Sequence, residues 1–214
     1  EIEANGFLSE EQLLSSQNFH LSKVREMFEN LDVFVFTLGL TETWLSKVDG
    51  AVYPLAPGVV AGGFDDRLHE FKNMSYSDVV EDMQIFIDYL DQVNNKAKVI
   101  LTVSPVPLIA TYSGKSALSA TTYSKAVLRS ASQYLADSNI NVDYFPSFEI
   151  VTGSHVGNKY YEDNLRLVRP EGVSHVMRLF MRNYAGQKLG GDSGSNLIEL
   201  SDELNNVAHI VCDE

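Results

Sequence analysis

Apolar residues along this chain fall into two kinds of run that alternate. The first kind is short and continuous. Val33–Leu38 and Lys98–Val103 are almost wholly β-branched or aromatic, and Val142–Phe145 is a shorter version of the same pattern. Such runs read as strands buried on both faces, as in a parallel sheet. The second kind is periodic. Leu21, Val24, Met27 and Phe28 recur at helical spacing within residues 20–30, and Val79, Met83, Phe86, Ile87 and Leu90 do so within Ser75–Val93. Residues 8–16, Thr121–Leu135 and Pro170–Arg182 also read as helices, with Pro170 suited to a first turn. Prolines stop two of the strands, in Ser104-Pro105-Val106-Pro107 and at Pro146. Asp49–Met74, with Pro54, Pro57, Gly58, Gly62 and Gly63, is predicted to be one long irregular insertion.

Strands alternating with helices predict a parallel α/β sheet. Three strands are few for such a sheet, so a further one is expected, most naturally at the head of the chain. The domain is read as residues 1–184. A Gly/Ser linker and polar tail follow over 185–214, with apolar patches at Leu197–Leu200 and Val207–Val211.

Charge narrows the partners. The 214 residues carry 29 acidic against 16 basic side chains, a net charge of −13, which disfavours nucleic acid and anionic membrane surfaces. No apolar run reaches the roughly 20 residues of a membrane helix. The lone cysteine, Cys212, builds neither a disulfide framework nor a cysteine metal site. No set of ligands has metal spacing and no glycine-rich phosphate loop follows a strand, so no cofactor is expected. The first residues, Glu-Ile-Glu-Ala-Asn-Gly, carry neither a methionine nor a signal pattern and read as a chain already cut. The compartment stays open, with the cytoplasm as the default.

Parallel sheets bind ligands past the carboxyl ends of their strands. Thr41, Glu42 and Thr43 after the first strand, and Ser104 after the second, would therefore stand at the mouth of a site. A polar loop that caps the next element is the plain alternative.

The ordered segments Phe36–Trp44, Pro54–Gly58, Leu101–Thr111, Tyr123-Ser124-Lys125, Val142–Ile150 and Gly172–Met177 resemble the GSCFA family, a branch of the SGNH (lipase-like) hydrolases. The resemblance runs from about residue 18 to 184. It implies a flavodoxin-like three-layer α/β/α sandwich and serine-type acyl transfer on a small-molecule or glycan ester. It also implies a Gly-Ser-Cys-Phe-Ala segment, with the nucleophilic serine's place, after a first strand that this chain lacks. That serine is expected upstream of residue 1, on a segment or partner chain that completes the sheet. Gly39 (backbone) and Thr41 (hydroxyl) match the oxyanion-side positions, and Glu42 would orient a base, bind a substrate hydroxyl or cap the loop.

The base should sit in an Asp-x-x-His arrangement. Asp163-Asn164-Leu165-Arg166 supplies the aspartate but places Arg166 where histidine belongs, and arginine cannot deprotonate. His175 is the nearest alternative base, and His69 lies in the matched stretch Phe64–His69. Ser104 would line the pocket, lacking the setting of a nucleophile elbow. His20, His155 and His209 read as surface residues, and Gly191-Asp192-Ser193 as a coincidental match in a linker. The rival reading is a catalytically silent SGNH-like module that binds carbohydrate or serves assembly.

Overall fold

The protein is described by a computed structural model covering residues 6–59, 63–154 and 156–184. The tail from 185 onward, His155 and His209 lie outside the described residues. In chain order the elements are α1 (Glu10–Asn30), β1 (Val33–Leu38), β2 (Glu42–Ser46), β3 (Val52–Tyr53), β4 (His69–Asn73) and α2 (Tyr76–Val93). There follow β5 (Lys98–Val103), α3 (Ala117–Ser138), β6 (Val142–Tyr144), α4 (Ser147–Thr152) and α5 (Pro170–Tyr184). Among the described residues no helix is long and apolar enough to cross a membrane.

The continuous apolar runs form one parallel sheet in the order β1-β5-β6. Val33 faces Lys98 and Leu38 faces Val103, so β1 and β5 are matched end to end, while Val99 to Leu101 pair with Val142 to Tyr144. Side chains alternate across the sheet. Val99, Leu101 and Val103 are buried under Val79, Met83, Ile87 and Leu90 of α2 and Leu128, Ala131 and Leu135 of α3. Ile100 points the other way, into Phe145, Ile150 of α4 and Leu179 of α5. The result is the three-layer α/β/α arrangement.

Four expectations change. The stretches 8–16 and 20–30 are one helix, because Gln17-Asn18-Phe19 interrupts the apolar stripe without supplying a breaker. Ser9 caps it, its hydroxyl accepting the Gln12 N–H at 3.2 Å. A short helix, α4, follows Pro146 unannounced. The segment after β1 is no loop: β2 is the centre of an antiparallel sheet ordered β3-β2-β4, built largely from the insertion read as irregular. Its stabilising contacts are non-local, since Trp44 pairs across the ladder with Phe71 and also packs on Phe64 and Tyr112.

The fourth change concerns β1 itself. It is the outer strand of the sheet, with Val35 47% and Phe36 39% exposed, rather than a strand covered on both faces. Its identity as a strand follows from its composition, but its position depends on which neighbours are present.

The turn into α2 is strongly tied. Ser75 Oγ accepts the Asp78 N–H and Asp78 Oδ2 accepts the Ser75 N–H at 2.8 Å, a reciprocal capping box. Lys72 Nζ donates to Asp78 Oδ1 at 2.8 Å. That lysine bond, with the Ser75 bonds, holds the Asp78 carboxyl well below the usual carboxylate range.

Gly172, in the first turn of α5, sits where a side chain does not fit. A methyl group there would lie 2.8 Å from Tyr160 Cβ and 3.0 Å from Val168 Cγ1. Gly172→Ala would gain about 1 kcal/mol of helix propensity. Overpacking against these fixed neighbours costs about 1–3 kcal/mol. Net destabilisation is therefore expected, read as a lower urea midpoint with an unchanged m-value; an equal or raised midpoint would show that α5 can shift away.

Candidate functional site

Beyond β1 the chain makes a turn, Gly39-Leu40-Thr41, before β2 begins at Glu42. Ser104 N–H donates to Leu38 O at 2.9 Å and carries the β1–β5 ladder one step past β5. Gly39 thus lies beside Ser104 at the carboxyl end of the parallel sheet. A methyl group added at Gly39 would meet no heavy atom within 4 Å, so the space over this peptide is open.

Thr41 is only 1% exposed and is bonded on every polar group it owns. Its N–H donates to Ser124 Oγ at 2.9 Å, its hydroxyl to Asn73 Oδ1 at 2.6 Å, and its carbonyl accepts the Met74 N–H at 2.9 Å. Having a single hydroxyl hydrogen, Thr41 has none left for a substrate oxyanion in this arrangement. The expected side-chain donor is a structural joint instead. Lys125, next to Ser124 on α3, is 4% exposed and donates from Nζ to Gly39 O at 2.8 Å. Burial pushes its pKa down to about 8.

The neighbouring loops close around this end. Glu42 accepts hydrogen bonds from the Thr111 hydroxyl and, at 3.3 Å, from the Tyr112 N–H, so it fastens the loop after β5 to β2. Ser104 Oγ accepts the Val106 N–H at 3.2 Å. Thr102 bonds Ser147 Oγ, which donates in turn to Val103 O at 2.9 Å. Tyr161 donates to Pro105 O at 2.7 Å and ties the loop over residues 156–169 to the end of β5. Burial raises the Tyr161 pKa, which keeps that hydroxyl protonated as a donor.

This last loop carries Asp163 and Arg166. Leu165 between them has φ +53, an uncommon left-handed conformation for a bulky residue. Asn164 Oδ1 holds it by accepting the Arg166 and Leu167 N–H groups, both at 2.9 Å. Arg166 Nε is buried without a hydrogen-bond partner among the described residues. The Asp163 side chain is fully exposed and takes Arg169 Nη2 at 3.3 Å. His175, half-buried on α5, has its Nδ1 2.6 Å from the Tyr160 hydroxyl. Asp163 therefore engages Arg169, and the Asp163–His175 pairing of serine chemistry is not made here.

Gly39, Thr41, Glu42 and Ser104 thus meet at the carboxyl ends of β1 and β5, and Asp163 and Arg166 sit on a loop tethered to the same end. His69 does not join them. It pairs with Ser46 at the far end of β2, about 13 Å along the strand from Glu42 at ~3.3 Å per residue. There its Nδ1 accepts the Asp65 N–H at 3.0 Å and its ring packs on Tyr53 and Phe64, a local structural role. Among the described residues no group of three His, Cys, Asp or Glu side chains could hold a metal ion.

Sequence reasoning matched Ser124 and Lys125 to the family without giving them a role, and it missed Asn73 and Tyr160. For Lys125 a signal existed: a cation on the helix face that also carries Thr121 and the buried Leu128 and Ser132. For Asn73 and Tyr160 none did, since their roles depend on chain reversals between distant residues.

Lys125 gives a pH dependence with a definite sign. It titrates near 8 in the fold and at its ordinary 10.5 when unfolded, so between those values the unfolded chain holds the extra proton. Its contribution to stability therefore rises with pH across that window. Buried Tyr144 and half-buried Tyr184 act oppositely, but only above their ordinary pKa of 10.0, because desolvation pushes both up. From pH 8 to about 10 the urea midpoint should carry an upward component that Lys125→Met removes. An identical pH profile in the variant would contradict the burial of a charged amine.

No curated protein and no solved structure matches the chain. The sequence model of the GSCFA family matches residues 3–180, most of the 214-residue chain. The chain belongs to the GSCFA family.

Proposed function

We propose that this chain forms the oxyanion-side wall and the base-side loop of an SGNH-type hydrolase. It acts on an ester or O-acyl group of a small molecule or glycan, and the nucleophilic serine comes from a strand seated on the outer edge of β1. The observation that carries this reading is the turn Gly39–Thr41, bonded from α2's approach and from α3, under open space at the carboxyl end of a parallel sheet. Fixed backbone donors at such a turn stabilise an oxyanion without reorganising during reaction. With the Thr41 hydroxyl committed to Asn73, that role falls to the Gly39 and Leu40 N–H groups.

Two features support a covering strand. The outer edge of β1 exposes apolar side chains on both faces, Val35 on one and Phe36 on the other. Each exposed face continues onto a helix: Leu13, Leu14 and Leu21 of α1 beyond the Phe28–Phe34–Phe86 contacts, and Val173, Met177 and Met181 of α5 beside Val176 and Phe180. Unpaired, apolar strand edges are features that folded proteins normally cover. His175 serves as the base in this reading, and Arg166 binds an anionic or hydroxyl-bearing part of the substrate.

A second reading has its own support. Trp44, Phe64, Phe71 and Tyr112 form an aromatic group beside Glu42, with Tyr112 61% and Phe64 47% exposed. Together with the Asp163–Arg169 contact, it suits a module that binds carbohydrate without hydrolysing it.

The test supplies the polypeptide upstream of this chain and a panel of short-chain aryl and acetylated-sugar esters. Turnover is expected, falling by about 10²-fold or more in His175→Ala, the usual scale of a lost general base. Undiminished turnover in that variant would remove His175 from the mechanism. Saturable glycan binding with no turnover on the whole panel would establish the second reading instead.

A further inference from the structure

Ser124 and Lys125 are consecutive residues of α3, both buried, and each grips a different end of the same tripeptide. Ser124 Oγ accepts the Thr41 N–H at 2.9 Å and Lys125 Nζ donates to Gly39 O at 2.8 Å. Leu40, between the two fixed peptides, remains 43% exposed. We infer that Ser124 and Lys125 act as a two-point clamp, positioning residues that aim the Leu40 N–H into the open space over Gly39 as the donor for a substrate oxyanion. The inference rests on the hydrolase reading for what the donor meets, and on the Ser124 and Lys125 hydrogen bonds for how it is aimed.

The aim follows from the peptide bond. In a planar trans peptide the carbonyl of one residue and the N–H of the next point in opposite directions. Drawing the Gly39 carbonyl toward α3 therefore turns the Leu40 N–H away from α3. A cationic donor on that carbonyl also polarises the peptide and strengthens the hydrogen bond its N–H can give. Lys125 makes no salt bridge among the described residues, so its charge adds to the field at the turn. An anion developing beside Leu40 would be stabilised by that field, whereas a neutral ground-state ester would gain less.

A merely structural lysine makes a different forecast. Replacing it by methionine would relieve the burial of a charge and leave the turn where it is. The clamp predicts a moved turn in a folded protein. Backbone NMR of the chain as it stands separates the two, with variants Lys125→Met, Lys125→Arg and Ser124→Ala. In Lys125→Met the Gly39 carbonyl and Leu40 amide resonances should shift or broaden while core resonances such as those of Leu101 stay in place. Lys125→Arg, which keeps a charged donor, should restore them in part. In Ser124→Ala the Thr41 amide should exchange with solvent about tenfold faster or more, the scale of one lost hydrogen bond. If Lys125→Met does not fold, the Arg and Ala variants carry the test alone. Gly39 and Leu40 resonances unchanged in Lys125→Met, or unchanged Thr41 exchange in Ser124→Ala, would overturn the clamp.

A kinetic arm distinguishes this inference from the reading beneath it. With the upstream polypeptide present, Lys125→Met should lower kcat by about 10²-fold with little change in KM, as loss of aim on one oxyanion donor does. Turnover lacking in every variant, wild type included, with the NMR outcome as expected, would reject the hydrolase and keep the clamp. Wild-type turnover with kcat unchanged in Lys125→Met would reject the clamp and keep the hydrolase.

Discussion

The arrangement depends on one buried threonine. Thr41 hands its N–H to α3, its hydroxyl to the last residue of β4 and its carbonyl to the residue that leads into α2. Polar groups removed from water are tolerable only when each finds a partner, and here all three do. Because those partners lie 83, 32 and 33 residues away along the chain, the threonine closes the parallel sheet, the small antiparallel sheet and the helical layer onto a single point.

Several features of the candidate site are consequences of that joint. With Thr41 pinned, Glu42 must start β2 opposite Asn73, which aims its carboxylate at Thr111 and Tyr112 and draws in the loop after β5. The Gly39–Leu40 peptide is left as the exposed part of the turn, gripped by Lys125. A lysine buried with a carbonyl as its acceptor is a poor way to gain stability. It makes more sense as a device for holding a backbone in a chosen orientation. The third wall, the loop tied by Tyr161 to Pro105, is held separately, and its Leu165 stores local backbone strain next to Arg166.

How much of this could be read from the chain differs by element. β1 and β5 were legible residue for residue, since unbroken β-branched and aromatic runs leave little else to form. α2 was legible because Val79, Met83, Phe86, Ile87 and Leu90 recur at helical spacing. The small sheet was not: Glu42-Thr43-Trp44-Leu45-Ser46 looks polar, and its partners arrive through a proline- and glycine-marked segment whose contacts are non-local. The same divide runs through the site. Glu42 and Ser104 could be placed from strand ends alone, whereas Gly39 was named through the family resemblance. Thr41 was expected to offer a free hydroxyl, and its bond to Asn73 was illegible because that acceptor comes from another strand. His69 was misplaced by belonging to a matched segment, whereas its partner Asp65 lies only four residues before it.

The central claim is that Thr41 couples the two sheets, and its hydroxyl offers the most direct test. Thr41→Val keeps the shape and leaves Asn73 without its donor; Thr41→Ser keeps the donor. The single tryptophan, Trp44, reports on the small sheet, while far-ultraviolet circular dichroism reports mainly on the helices. In urea, Thr41→Val should lose about 1–3 kcal/mol, the scale of a buried acceptor left unsatisfied. Its fluorescence midpoint should also fall below the dichroism midpoint, with Thr41→Ser close to wild type. Coincident, wild-type midpoints in Thr41→Val would contradict the account.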